Sequence, residues 1–80
     1  RTKNGAEVDF VIEKEGEIIP IEVKLNAQEH KIEKSLHSFM EIYKPKRAFI
    51  VFYEGTEKEE KSLHCTVHFT DVKNLLEKLQ

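Results

Sequence analysis

Four charged residues near the start of the chain stand at spacings that could do chemistry. Glu7 and Asp9 are two residues apart, and Glu22 and Lys24 are two residues apart again. Each pair lies in a stretch where apolar and polar residues alternate, the mark of a half-buried strand, so both members of a pair point to one side. If the two stretches are arms of one hairpin, three carboxylates and one ammonium gather on a small patch. Opposed Cβ atoms across such a pair lie roughly 5 Å apart, and like charges there are destabilising. Two carboxylates about 4 Å apart repel by about 4 kcal/mol at an effective dielectric near 20. A hard divalent cation takes carboxylate oxygens and cancels that repulsion, so the pattern points to a divalent-metal site. The other reading is a solvated outer face with Lys24 as counter-ion.

The element that must position these groups is a hairpin with arms over residues 6–13 and 18–25 and a turn around Glu15-Gly16. On the first arm Val8, Phe10 and Ile12 share a face, and Glu7, Asp9, Val11 and Glu13 share the other. On the second arm Ile19, Ile21, Val23 and Leu25 oppose Ile18, Pro20, Glu22 and Lys24. An even loop sets Phe10 opposite Ile21, Val8 opposite Val23, Asp9 opposite Glu22 and Glu7 opposite Lys24. A slip of one residue scatters the apolar set over both faces, which burial of one face forbids. A bulge at Gly16 would give an odd loop instead.

Beyond the hairpin, Asn26 with Glu29 three residues on offers a capped helix start. Ile32, Leu36, Phe39, Met40 and Tyr43 fall at helical spacing, and Lys44-Pro45-Lys46 ends the helix. The run 47–53 is apolar, β-branched and aromatic after Arg47, which suits a strand buried on both faces. Strand, helix and strand make a βαβ unit with its two strands parallel. Residues 54–62 read as a charged loop, and Leu63, Cys65, Val67 and Phe69 as one face of an edge strand. Thr70 is placed to cap a last helix with Val72, Leu75, Leu76 and Leu79 on one stripe. His64 and His68 are four apart on that expected strand, roughly 13 Å at ~3.3 Å per residue, too far to share one zinc ion. The expected class is α/β, a mixed sheet with flanking helices in the order β-β-α-β-β-α.

Eighty residues make one domain, 1–80, with a modest core. The chain opens on Arg1 and reads as a piece of a longer protein. A single cysteine, Cys65, excludes an internal disulfide, and its place among apolar alternates assigns it to packing. No stretch approaches the ~20 apolar residues of a membrane span, and no signal-peptide pattern opens the chain, so a cytoplasmic location without membrane contact is expected. A net charge of −2 argues against a chain that coats nucleic acid, while leaving room for one basic edge.

The stretches Glu7-Val8-Asp9-Phe10-Val11 and Pro20-Ile21-Glu22-Val23-Lys24, joined by a short hairpin and followed by helix and buried strand, resemble the PD-(D/E)XK nuclease superfamily. More closely, the chain resembles the C-terminal DUF4143-type domain of prokaryotic AAA-type ATPases, where Glu-Val-Asp-Phe, Ile-Glu-Val-Lys and Ser-Leu-X-X-Phe stretches recur; here these are residues 7–10, 21–24 and 35–39. The archaeal ATPase tail domain DUF234 is the nearest competitor. The resemblance implies that Asp9 and Glu22 hold Mg²⁺ or Mn²⁺, with the Val23 carbonyl as a third ligand. It gives Lys24 the catalytic lysine position and Glu7 that of an auxiliary acid. It implies a restriction-endonuclease-like core, truncated here because the superfamily has a further helix and strand ahead of the Asp strand. An apolar sheet edge or face that a second copy could cover follows from that truncation.

Two functions of different class result. One is metal-dependent hydrolysis of DNA or RNA phosphodiesters, with phosphates held by Lys31, Lys34, Lys46 or Arg47. The other is a catalytically inactive nuclease-fold module that docks on or regulates the upstream ATPase domain or another protein.

Overall fold

Two tight turns and one parallel crossover account for most of the architecture. The computed structural model describes residues 8–27 and 30–79, with the backbone alone at 25–27 and 54. Strand β1 (Phe10–Lys14) returns as β2 (Glu17–Ala27) through Glu15 and Gly16, whose φ values are 51° and 81°. Positive φ at both central residues makes a two-residue turn whose twist matches the strands it joins. The ladder therefore runs from Phe10 opposite Ile21 to Lys14 opposite Glu17, the register the even loop requires.

Helix α1 (Lys34–Tyr43) follows β2, and its buried residues Leu36, Phe39 and Met40 stand at helical spacing. Lys44 closes it in a left-handed conformation (φ 49°), its N–H donating to the Met40 carbonyl at 3.0 Å, just before Pro45. Strand β3 (Arg47–Gly55) then lies parallel to β2, with Ile21 beside Phe49 and Val23 beside Val51. Its residues 48–52 are buried on alternating sides. Ala48, Ile50 and Phe52 join α1 and residues of the last strand in one core, while Phe49 and Val51 join Ile19 and Ile21 in a second.

The second core is covered by α2 (Val72–Lys78) and the residue after it, through Leu75 and Leu79. The fold is thus three-layered: α1, a five-stranded mixed sheet, α2. Strand order is β1-β2-β3-β5-β4, where β4 is Lys58–Ser62 and β5 is Cys65–Asp71. Strands β3 and β5 are parallel, and β4 runs antiparallel to β5.

Several expectations are corrected. Residues 58–62 form a strand rather than a loop, so the order is β-β-α-β-β-β-α. Lys58-Glu59-Glu60-Lys61 carries no apolar alternation because β4 is a sheet edge, where charge guards unpaired backbone groups. Strand β5 is consequently internal, and Leu63 and His64 form the turn before it (φ 50° and 66°). Asn26 does not begin a helix: it sits in β2 opposite Glu54, since pairing with β3 keeps the backbone extended to Ala27. Glu33 occupies the N-cap position of α1 without a side-chain cap bond. Asp71, not Thr70, caps α2, accepting from the Asn74 N–H at 2.8 Å. Thr70 is fully buried and donates instead to Glu57 Oε2 at 2.9 Å.

On the α2 side, Phe10, Val23 and Tyr53 of the sheet and Val72 of α2 are exposed around an apolar groove of about 320 Å³.

Candidate active site beneath the first turn of α1

The alternation of β2 sends Ile19, Ile21 and Val23 toward α2, and Ile18, Glu22 and Lys24 toward α1. Glu22 thereby meets the first turn of α1. The Ser35 hydroxyl donates to Glu22 Oε1 at 3.1 Å. Glu22 Oε2 is sealed from solvent and has no partner among the described residues. Burial pushes the Glu22 carboxyl above its ordinary range; the Ser35 hydrogen bond and the Lys24 ammonium pull it back, and the charges of Asp9 and Glu33 push it up further.

Lys24 Nζ is 2.5 Å from Glu33 Oε1. That contact holds the Glu33 carboxyl below its usual range. Lys24 is therefore anchored to the start of α1, close enough to Glu22 for its charge to matter there.

Asp9 reaches the same end of the hairpin by a different route from the one its spacing suggests. The β1–β2 ladder begins at Phe10, and Asp9 lies in a bend ahead of it. It is exposed, and its Oδ2 accepts from the Val23 backbone N–H at 2.8 Å, a side chain standing where a ladder bond would otherwise continue. The bend also corrects the place of Val8. Instead of sharing the face of Phe10 and Ile12, Val8 is buried in the α1-side core, whereas Phe10 is 59% exposed on the other side.

The structure thus brings together Asp9, Glu22 and Lys24, and adds Ser35 and Glu33. Glu7 lies outside the described residues. Val23 meets Asp9 through its N–H, with its side chain on the opposite face. Among the described residues no three His, Cys, Asp or Glu side chains are grouped to hold a metal ion. Of the expected phosphate contacts, Lys31 and Lys34 are exposed beside Glu33, and Lys46 is exposed past the far end of α1. Arg47 belongs to the other face: its guanidinium binds Glu17 Oε2 at 3.1 Å and the Lys78 carbonyl at 3.0 Å, and lies 6.0 Å from the Phe49 ring centroid. Ser35 stood out in the sequence only as the first residue of the Ser-Leu-X-X-Phe stretch, with no role attached, and Glu33 carried no sequence signal of its own. The signal available was their place in the first turn after an acid-bearing strand.

A family model described as a domain of unknown function, DUF4143, matches residues 1–74. The chain belongs to the DUF4143 family. The DUF4143 match spans both arms of the hairpin, α1 and all five strands, and ends within α2. No curated protein and no solved structure matches the chain.

Proposed function

We propose that this DUF4143 domain is a divalent-metal-dependent phosphodiesterase of the PD-(D/E)XK type, acting on DNA or RNA as the cytoplasmic tail of an ATPase. The observation that carries the reading is Glu22 Oε2, a sealed carboxylate oxygen without a partner among the described residues. An orphaned buried polar group costs about 1–3 kcal/mol. A cation at that oxygen removes the cost, and the neighbouring Asp9 carboxylate supplies a second hard donor. Mg²⁺ keeps several waters and is commonly bound by one or two carboxylates plus substrate phosphates, so a two-acid donor set fits it. Asp9 and Glu22 would hold the ion, with the Val23 carbonyl as a third ligand. When bound, such an ion supplies Lewis acidity toward a phosphate oxygen and toward a water.

The chain's own residues do the rest. Lys24 leaves Glu33 for the phosphate and stabilises the negative charge that develops there. Lys31 and Lys34, exposed next to Glu33, receive the flanking phosphates and set no sequence preference by doing so.

One observation favours a second reading, a non-enzymatic module that docks on its ATPase. The Lys24–Glu33 contact at 2.5 Å occupies the lysine that the acids would need. Incubating the protein with plasmid DNA and with single-stranded RNA, in Mn²⁺ or in EDTA, separates the two. The phosphodiesterase reading expects cleavage in Mn²⁺ that E22Q and K24A both lose. Absence of Mn²⁺ binding and of cleavage by folded wild-type protein would leave the docking module.

A further inference from the structure

We infer that Ser35 is a positioning residue of this site: its hydroxyl fixes the Glu22 carboxylate so that Oε2, not Oε1, is the oxygen presented to a divalent cation. The inference rests on the metal-dependent reading above and adds to it a residue from a different element.

A glutamate carboxylate turns about a broad, roughly two-fold terminal torsion, so its two oxygens exchange places readily. At Glu22 they are distinct. Oε1 receives the Ser35 hydroxyl at 3.1 Å, and Oε2 is sealed and unpartnered among the described residues. A serine hydroxyl has one proton to give, and giving it to Oε1 commits it there. Lys24, the nearest cation, does not compete for that oxygen, because its ammonium is 2.5 Å from Glu33 Oε1.

Ser35 is itself held firmly. It lies in the first turn of α1, immediately before Leu36, which is fully buried, and the helix is packed against the sheet through Leu36, Phe39 and Met40. The N-cap residue of this helix is Glu33, so the Ser35 hydroxyl is not spent on capping. A donor on a packed helix is a better locator of a ligand group than one on a loop. Outer partners of this kind, which orient a metal ligand without touching the metal, change affinity by roughly 10–100-fold when removed.

The test is isothermal titration of Mn²⁺ into the whole protein as wild type, S35A, S35T and E22Q, with ¹³C relaxation of the Glu22 side-chain methylenes recorded without metal. Alanine is the better helix former, so S35A keeps α1. The expected result is binding to wild type, about 10-fold weaker binding to S35A, and recovery in S35T, which restores the hydroxyl. Binding to wild type with S35A unchanged overturns the role of Ser35 and leaves the metal reading intact. Equal loss in S35A and S35T also overturns it, because the hydroxyl then is not what matters. If wild type binds no Mn²⁺, the metal reading fails and the relaxation data decide on Ser35 alone. Greater Glu22 mobility in S35A, reversed in S35T, sustains the positioning role, and unchanged mobility overturns it.

Discussion

Replacing Glu22 with glutamine keeps the side chain's shape and its acceptor for Ser35 while removing the charge. In the metal-free protein that charge is a burden, since burial raises the Glu22 carboxyl above its ordinary range and Asp9 and Glu33 add to the effect. A buried polar group without a partner costs about 1–3 kcal/mol. Glutamine puts an amide nitrogen in the place of Oε2, still without a partner among the described residues, so E22Q relieves only the cost of the charge; Glu22 is partly exposed, and solvent screening holds that gain to about 1 kcal/mol. For a domain of this size that is a rise in Tm of about 4–8 °C. The pH dependence has a definite sign. With a folded pKa above the unfolded value, about 4.3, the folded protein binds the proton more tightly. The contribution to stability is fully present below the unfolded value and is lost as pH rises through the folded one. E22Q and wild type should therefore be nearly equal in stability near pH 4 and differ by the full amount at pH 7.5, measured by urea unfolding in EDTA. Mn²⁺ at about 100 times its Kd should stabilise wild type by about 2.7 kcal/mol and E22Q hardly at all. If E22Q is less stable than wild type by the same amount at both pH values, Glu22 is a net anchor through Lys24 and Ser35, and the burial argument is wrong.

Three further outcomes follow from the fold. His68 stacks on Phe49 with centroids 4.9 Å apart, and its buried Nδ1 has no hydrogen-bond partner among the described residues, with Glu59 Oε2 4.0 Å away; burial lowers its pKa below 6.5 against the opposing pull of Glu59. Its folded form resists protonation, so stability should fall as pH drops from about 6.5 through the folded pKa, and urea midpoints should show H68F without that part of the fall. His64 holds a left-handed conformation (φ 66°) in the β4–β5 turn, so H64G should raise stability by about 0.5–1 kcal/mol in the same assay, where a loss would refute the turn geometry. D71A removes the acceptor of the Asn74 N–H and should cost about 1 kcal/mol, with amide exchange quickening across α2 rather than α1.

Much of this protein is legible in its residues. Period-two alternation and the two-residue loop at Glu15-Gly16 determine the β1–β2 register, because any one-residue slip exposes the apolar set. The uninterrupted apolar run after Arg47 determines a central strand, since only a strand buried on both faces tolerates it. The helical spacing of Leu36, Phe39 and Met40, with Pro45 behind them, determines the body and end of α1. Glu22 and Lys24 could be assigned to one face for the same reason of period.

Tertiary structure alone decided the rest. Strand β4 has no apolar pattern to read, because it exists through backbone pairing with β5, and pairing leaves no mark on side-chain periodicity. Helix α1 starts at Lys34 rather than at Asn26 because parallel pairing with β3 outweighs a local capping signal. Alternation broke at Asp9, where a bend sends Val8 into the core beneath α1 and frees the Asp9 carboxylate to take the Val23 N–H. Ser35 and Glu33 joined the site only when α1 folded down onto β2. Contacts between residues far apart in the chain depend on where whole elements come to rest, and local spacing carries no record of that.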